Sequence, residues 1–399
     1  MGQSTFPAPL VGATYSSQPP AVASSVLLDG QLVNNFSYTT YIPTTGAPIL
    51  VYGNGGNGVS VNIGGIYYPG TSGSTVGTGA LGGSQYATIQ PTALITTMPN
   101  AGYWPGIAYG NSLFVAVSDT SSNVYAYSSD GKTWTSGTFP ASKSMRSIVY
   151  GNGYFVACGS NYTVFTSTNG TTWSSYNGTI NYTPNVVGYG NVSGTTPTFV
   201  MAYYYTNVGN YSTNNGASWT ACTLPATDYW LGCDFGGGYF VMTTGGVTGT
   251  NNIYSTNGIT WTLGGAYPTS GYFRRVSYGN GVFVTVDGSN LGLSMYSSNH
   301  GISWTSGTMP ANSYQSLCFT GSIFVSVSNG GSYTNAGAWS TNGSTWTAFS
   351  IPSSAGYVDV RQCWYGNNGI VFTGNSTSAY YMSTAPLTFG IYNGPTTTH

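Results

Sequence analysis

The side chains able to do chemistry are few, and that scarcity bounds the function. The chain has 399 residues, with seven Asp, no Glu, two His, four Arg and two Lys. Asp119, Asp228, Asp234, Asp287 and Asp359 fall in separate stretches. Paired carboxylates hydrolyse glycosides only at a fixed separation, with one held protonated. An Asp pair facing across a central opening would satisfy that need. Single Asp residues beside turns instead cap backbone amides, and the flanking Gly, Ser and Asn favour capping. His300 lies in a turn sequence and His399 is the last residue, so neither has the neighbours of a triad or a metal site. The Gly-rich "GNGGNG" at 53–58 lacks the following helix and Lys of a phosphate loop. Cys158, Cys222, Cys233, Cys318 and Cys363 show no CxxC spacing and read as buried free thiols, with a Cys222–Cys233 pair left open. The expectation is no enzyme, no metal and no cofactor.

What remains is recognition. Aromatic side chains gather near a recurring Pro: Tyr103 with Trp104, Tyr229 with Trp230, Tyr267 with Tyr272, then Tyr314 and Tyr357. Arg274, Arg275 and Asp228 lie among them. Aromatic rings beside Asn, Ser and a few charges suit sugars, which offer apolar faces and hydroxyls. The same rings equally serve to fill gaps between packed units. Trp230, Tyr272, Arg274, Tyr314 and Tyr357 form the candidate ligand-binding set.

The elements that position these residues follow from a repeat. Trp134, Trp173, Trp219, Trp261, Trp304 and Trp346 are spaced by 39, 46, 42, 43 and 42 residues. One more step of 43 reaches Phe389, which stands in the Trp position of a worn copy. Pro99, Pro140, Pro184, Pro225, Pro268, Pro310 and Pro352 keep a similar period, and "YGN" recurs at 109, 150, 189, 278 and 365. Each unit reads as four short strands, as in "SIVYG", "YFVAC", "TVFTST" and "TTWSSY". Asn-Gly or Asp-Gly between two such runs predicts a two-residue hairpin turn between the third and fourth strands. Four strands in about 42 residues mark a propeller blade, whose sheet is buried only by repetition around an axis. Seven copies predict an all-β, seven-bladed β-propeller over 98–399. Residues 92–99 resemble the end of a blade and either latch the last blade or leave the ring to close by packing alone.

The quoted motif resembles the Asp-box repeat, S-x-D-x-G-x-x-W, of sialidase-like and other β-propellers. "STNNGASW" (212–219) and "SSNHGISW" (297–304) keep the full spacing with Asn for Asp. The copies at 128, 167, 255 and 340 are one residue shorter, and only Asp130 keeps the acid. The resemblance implies fold, because such boxes lie in turns away from the usual catalytic face. Sialidase activity would need three Arg, a Tyr–Glu pair and an acid Asp, and a chain without Glu departs from that set.

Charged residues make up 3% of the chain, against roughly 25% in ordinary soluble proteins. With 40% apolar residues and 35 Tyr, the chain folds and its surface is neutral and polar. A net charge of −1 excludes nucleic acid as a partner. No run of about 18 apolar residues is present, so membrane insertion is not expected, and "MGQSTFPAPL" does not read as a signal peptide.

Residues 1–25, rich in Pro, Ser and Ala, read as an extended arm, and 26–97 as a small β-module for attachment or oligomerisation. An arm, a module and a recognition-type propeller with almost no charge resemble a bacteriophage tail fibre or other virion appendage. That resemblance implies a homo-oligomer, other virion proteins bound through the N-terminal region, and a host-surface glycan or protein bound by the propeller. The alternatives are a cell-surface or secreted lectin, adhesin or filament subunit, and an Asp-dependent glycan-degrading propeller.

Overall fold

The "YGN" marker is a hairpin. Asn111 and Ser112 have φ of 48° and 59°, and Asn280 and Gly281 have 48° and 81°. Two successive left-handed residues give the turn whose twist matches its strands, and Asn tolerates that region. At 109, 150, 278 and 365 this turn joins the first and second strands of a unit, as between Gly106–Gly110 and Leu113–Val117, whereas at 189 the strand runs on to Val192 before turning. The glycine before it answers a packing need. A Cβ at Gly110 would collide with the Tyr150 ring of the next unit, and one at Gly366 with the Tyr109 ring of the first unit. The contact thus passes from unit to unit and returns to its start.

The structure, a computed structural model, describes residues 94–383 except 121–122, 177–181, 193, 246–251, 330–336, 350–359 and 375–377, plus short strands outside that span. All regular elements among the described residues are strands or turns. The chain divides into two compact units, Ala93–Met382 and a second made of Met1–Thr92 with Ser383–His399. The first unit is a β-propeller. Its first sheet runs Gly106–Gly110, Leu113–Val117, Val124–Ser128 and Thr135–Thr138, all antiparallel.

Six propeller sheets are present where seven blades were expected. The difference arises in the third and fourth sequence units. Thr196–Ser212 and Thr220–Gly236 each run 17 residues and join both units in one six-stranded sheet. Segments that turn elsewhere stay extended here and pair with each other, Tyr204 with Tyr229 and Thr206 with Asp228.

The last sheet takes its fourth strand from Leu94–Thr97, which pairs with Ser378–Ser383, Thr97 opposite Ser378 and Leu94 opposite Tyr381. Leu94–Thr97, within the stretch expected as a latch, therefore closes the ring as one. Phe389 does not supply that strand: Thr388–Ile391 pairs with Gln85–Thr88, Phe389 opposite Ala87. In the other unit Ser4–Thr5, Ala13–Tyr15, Ser24–Leu28 and Ile49–Gly53 form a four-stranded sheet, so the segment expected as an arm contributes strands.

The repeated tryptophans seal the joints between neighbouring units. Trp134, Trp173, Trp219, Trp261 and Trp304 are buried, and Trp346 is half-buried. Trp173 of the second sheet meets Tyr125 and Phe139 of the first edge-on, at 5.6 and 5.0 Å. Such pairs add about 0.5–1.5 kcal/mol beyond the area they bury.

The turns before these tryptophans are not the two-residue hairpins expected. Gly131, Gly170, Gly258 and Gly343 have positive φ, whereas the Asp or Asn before each does not. A side-chain clasp holds the turn instead. Ser255 Oγ donates to Asn257 Oδ1 (3.0 Å) and accepts from Gly258 N (2.9 Å), while Asn257 Oδ1 accepts from Ile259 N and Thr260 N, both 2.8 Å. Asp130 and Asn342 do the same in their turns. The clasp uses only an acceptor oxygen, so Asn serves as well as Asp.

All five cysteines are free. Burial pushes the Cys158 thiol up to about 12, so it holds no thiolate near neutral pH.

Candidate functional site

At the start of the inner strands the ladder slips. One extra residue is inserted between Met145 and Ser147, Pro184 and Val186, Trp230 and Gly232, Tyr314 and Ser316, and Val360 and Gln362. The same slip falls between Phe273 and Val276. A bulge kinks its strand and re-aims the extra side chain, and bulges favour such rims. The inserted residues are Arg146, Asn185, Leu231, Gln315 and Arg361, with Arg274 and Arg275 in the sixth case. All of them line one cavity of about 290 Å³, together with Tyr103, Pro105, Asp119 and Gln362.

The four arginines of the chain are thus gathered in one place, though they are scattered from 146 to 361 in sequence. Among the described residues, one carboxylate, Asp119, lines the cavity with them. Arg275 is tied down: Nη1 donates to Leu231 O and Nη2 to Pro105 O, both at 3.2 Å. Burial pulls its guanidinium below the usual arginine value. Arg146 Nη1 donates a long 3.4 Å bond to Asn185 Oδ1, and Asn185 Nδ2 is held by Trp230 O at 2.8 Å. The Arg274 guanidinium lies 6.0 Å from the Tyr272 ring and that of Arg361 5.7 Å from the Tyr103 ring. Among the described residues, the buried Nε atoms of Arg146 and Arg274 have no hydrogen-bond partner. Burial raises the Asp119 carboxyl above its ordinary value, and the Arg146 charge opposes that shift.

The candidate residues read from sequence are placed as follows. Arg274 lines the cavity and Tyr272 flanks it. Trp230 and Tyr314 are core side chains with no exposure: Trp230 Nε1 donates to Thr206 O (3.1 Å) and Tyr314 Oη to Pro310 O (2.9 Å). Tyr357, like Asp359, lies outside the described residues. Trp230 and Tyr314 sit one position before the bulge, where the side chain packs between neighbouring units, while Leu231 and Gln315 reach the cavity. Arg146, Arg361, Asn185 and Gln315 were missed. The signal was the second position of aligned heptapeptides such as "MRSIVYG", "FRRVSYG" and "VRQCWYG".

The other titratable groups have structural roles. Asp234 accepts from Phe235 N (2.8 Å) and Tyr278 N (2.7 Å), tying adjacent inner strands, and burial pushes its carboxyl to about 6. Asp287 accepts from Tyr272 N (2.9 Å), Ser289 N and Leu291 N (both 3.1 Å). His300 is stacked on Tyr239, centroids 4.1 Å apart. Among the described residues no three His, Cys, Asp or Glu side chains cluster as metal ligands, and no helix is long and apolar enough to cross a membrane.

What the cavity can do is hold an oxyanion. Guanidinium forks match carboxylate and phosphate oxygens in pairs, and charge-assisted bonds are about twice as strong as neutral ones. A low-dielectric cleft lined by one sign of charge focuses that field.

Comparison with known proteins agrees on the architecture. Residues 99–231 match the DUF6242 beta propeller domain. Among solved structures, virginiamycin B lyase from Staphylococcus aureus is similar with a TM-score of 0.62 at 11% identity, covering 75% of this chain and 99% of that one. A structure of YCF48 bound to D1 peptide is similar with a TM-score of 0.58 at 14% identity, covering 77% and 100%. No curated protein matches. Likeness at this identity carries fold alone, and the fold it carries is the β-propeller.

Proposed function

We propose that the protein is a non-enzymatic recognition protein whose propeller captures a ligand bearing an anionic group in the arginine-lined cavity. The observation that carries this reading is charge placement. Of six Lys and Arg in the chain, four converge on one cavity of about 290 Å³, where Asp119 is the one carboxylate among the described lining residues. Gathered like charges repel and cost stability, which an anionic ligand reverses. Binding is favoured over glycoside hydrolysis because the described residues lining the cavity include one carboxylate, Asp119, whereas that chemistry needs two at a set separation.

The setting we propose is a bacteriophage virion, as a tail fibre or other appendage, with a host-surface glycan as the propeller's ligand. Its support is the near absence of charge and a separate unit built from Met1–Thr92 and Ser383–His399, suited to holding other virion proteins or further copies of this chain. We also read the clasped turns as degenerate Asp boxes and the seven sequence units as seven blades, two of which share a sheet.

Thermal unfolding of the full-length chain tests the anion site. A ligand at 100 times its Kd stabilises by about 2.7 kcal/mol. Inorganic phosphate is expected to raise Tm beyond sodium chloride of matched ionic strength, and equal shifts in the two salts would contradict the reading.

A further inference from the structure

The long hairpin that merges the third and fourth units leaves a group of tyrosines in solvent. Tyr205 is 62% exposed, the most of any large apolar side chain among the described residues, and Tyr204 is 57% exposed. Both rings meet the half-buried Tyr229, at centroid distances of 4.9 and 4.4 Å. Tyr205 has φ of +54°, an uncommon conformation for a bulky side chain. The surrounding backbone enforces it. Tyr204 pairs with Tyr229 and Thr206 with Asp228, Trp230 Nε1 donates to Thr206 O at 3.1 Å, and Val208 N donates to Thr206 Oγ1 at 3.2 Å. Tyr205 is thus the extra residue of a bulge, which turns its ring into solvent, and three adjoining aromatic rings there make an exposed patch of the kind that marks a binding surface.

The ledge belongs to the cavity's side of the propeller. Tyr229 precedes Leu231, which lines the cavity, by two residues, about 7 Å of extended chain. We infer that Tyr204, Tyr205 and Tyr229 form a second subsite that stacks a sugar ring, and that the ligand is therefore an anionic oligosaccharide spanning ledge and cavity. This inference rests on the anion reading above. The chemistry of the ledge selects the class: aromatic faces accept the C–H side of a pyranose, and hydroxyls of Tyr and the exposed Thr227 suit sugar hydroxyls. Asp228, whose Oδ1 accepts from Tyr229 N at 2.7 Å, puts negative charge at the ledge, while the arginines put positive charge in the cavity. A neutral ring is favoured on the first and an acidic group in the second, which fixes the direction in which the ligand lies.

Calorimetry on the full-length chain tests this with three probes: a trimeric oligogalacturonide, its methyl-esterified neutral counterpart, and inorganic phosphate. The acidic trimer is expected to bind more tightly than either of the others. Tyr229→Ala and the double variant Tyr204→Ala/Tyr205→Ala are expected to weaken the trimer about three- to tenfold, from roughly 0.5–1.5 kcal/mol per aromatic contact. Both variants should leave phosphate binding unchanged and lower Tm by only a few degrees, because the rings they remove touch one another rather than the core. Trimer binding that depends on Arg274 but survives both tyrosine changes would overturn this inference alone. A neutral trimer bound as tightly as the acidic one, with no dependence on Arg274, would overturn the anion reading with it.

Discussion

Replacing Trp230 with Ala is expected to lower stability by about 3–5 kcal/mol, the usual cost of emptying a core aromatic position. The indole is fully buried with Val186, Leu224, Phe240 and Trp261. Its Nε1–H answers Thr206 O, so truncation leaves both a cavity and an unpaired carbonyl. Trp230 O also accepts from Asn185 Nδ2, which ties its position to the cavity wall. A loss of this size is a large part of a typical domain's 5–15 kcal/mol. Urea unfolding of wild type and variant measures it. A change below about 1 kcal/mol would mean that this joint between the third and fourth units is not well packed.

The second large effect concerns charge. Arg274→Gln/Arg361→Gln keeps hydrogen-bonding capacity while removing two of the cavity's four positive charges. Phosphate affinity is expected to fall at least tenfold, since hydrogen bonds to charged groups are worth about 1.5–3 kcal/mol each. Without ligand the variant is expected to differ from wild type by less than about 1 kcal/mol, because relieved guanidinium repulsion offsets the lost contacts with the Tyr272 and Tyr103 rings. Unfolding scans with and without phosphate read both quantities. A variant that is less stable yet still responds fully to phosphate would assign these arginines to structure rather than to binding. Arg275 is left alone because its bonds to Leu231 O and Pro105 O make it part of the frame.

The sequence made the fold legible through period and turn chemistry. The tryptophan spacing, the "YGN" hairpins and the four-strand rhythm each reappear as sheet, turn and packing contact. The merged sheet was harder to read, because "YYYTNVGN" and "ATDYWLGC" contain no feature that forbids extended pairing between them. The Phe389 extrapolation failed for a related reason. A period locates where a strand is due, but the latch from Leu94–Thr97 fills that place first.

The site was partly legible. The side of the propeller was identifiable from connections rich in aromatic residues, and Arg274 was singled out. Side-chain direction was not, because a bulge shifts the alternation by one residue and exchanges the core and cavity sides. That single step explains why Trp230 and Tyr314 were singled out where Leu231 and Gln315 line the cavity. It also explains why four dispersed arginines showed no motif: they share a position in the bulged strand, not a spacing along the chain.

The most direct test of the anion site is diffraction from crystals of the full-length chain soaked in selenate, whose selenium marks the ion by anomalous scattering. The account predicts a peak in the cavity within hydrogen-bond distance of the Arg146 and Arg274 guanidiniums, whose buried Nε atoms lack partners among the described residues. An empty cavity, with selenate bound only elsewhere on the surface, would contradict it.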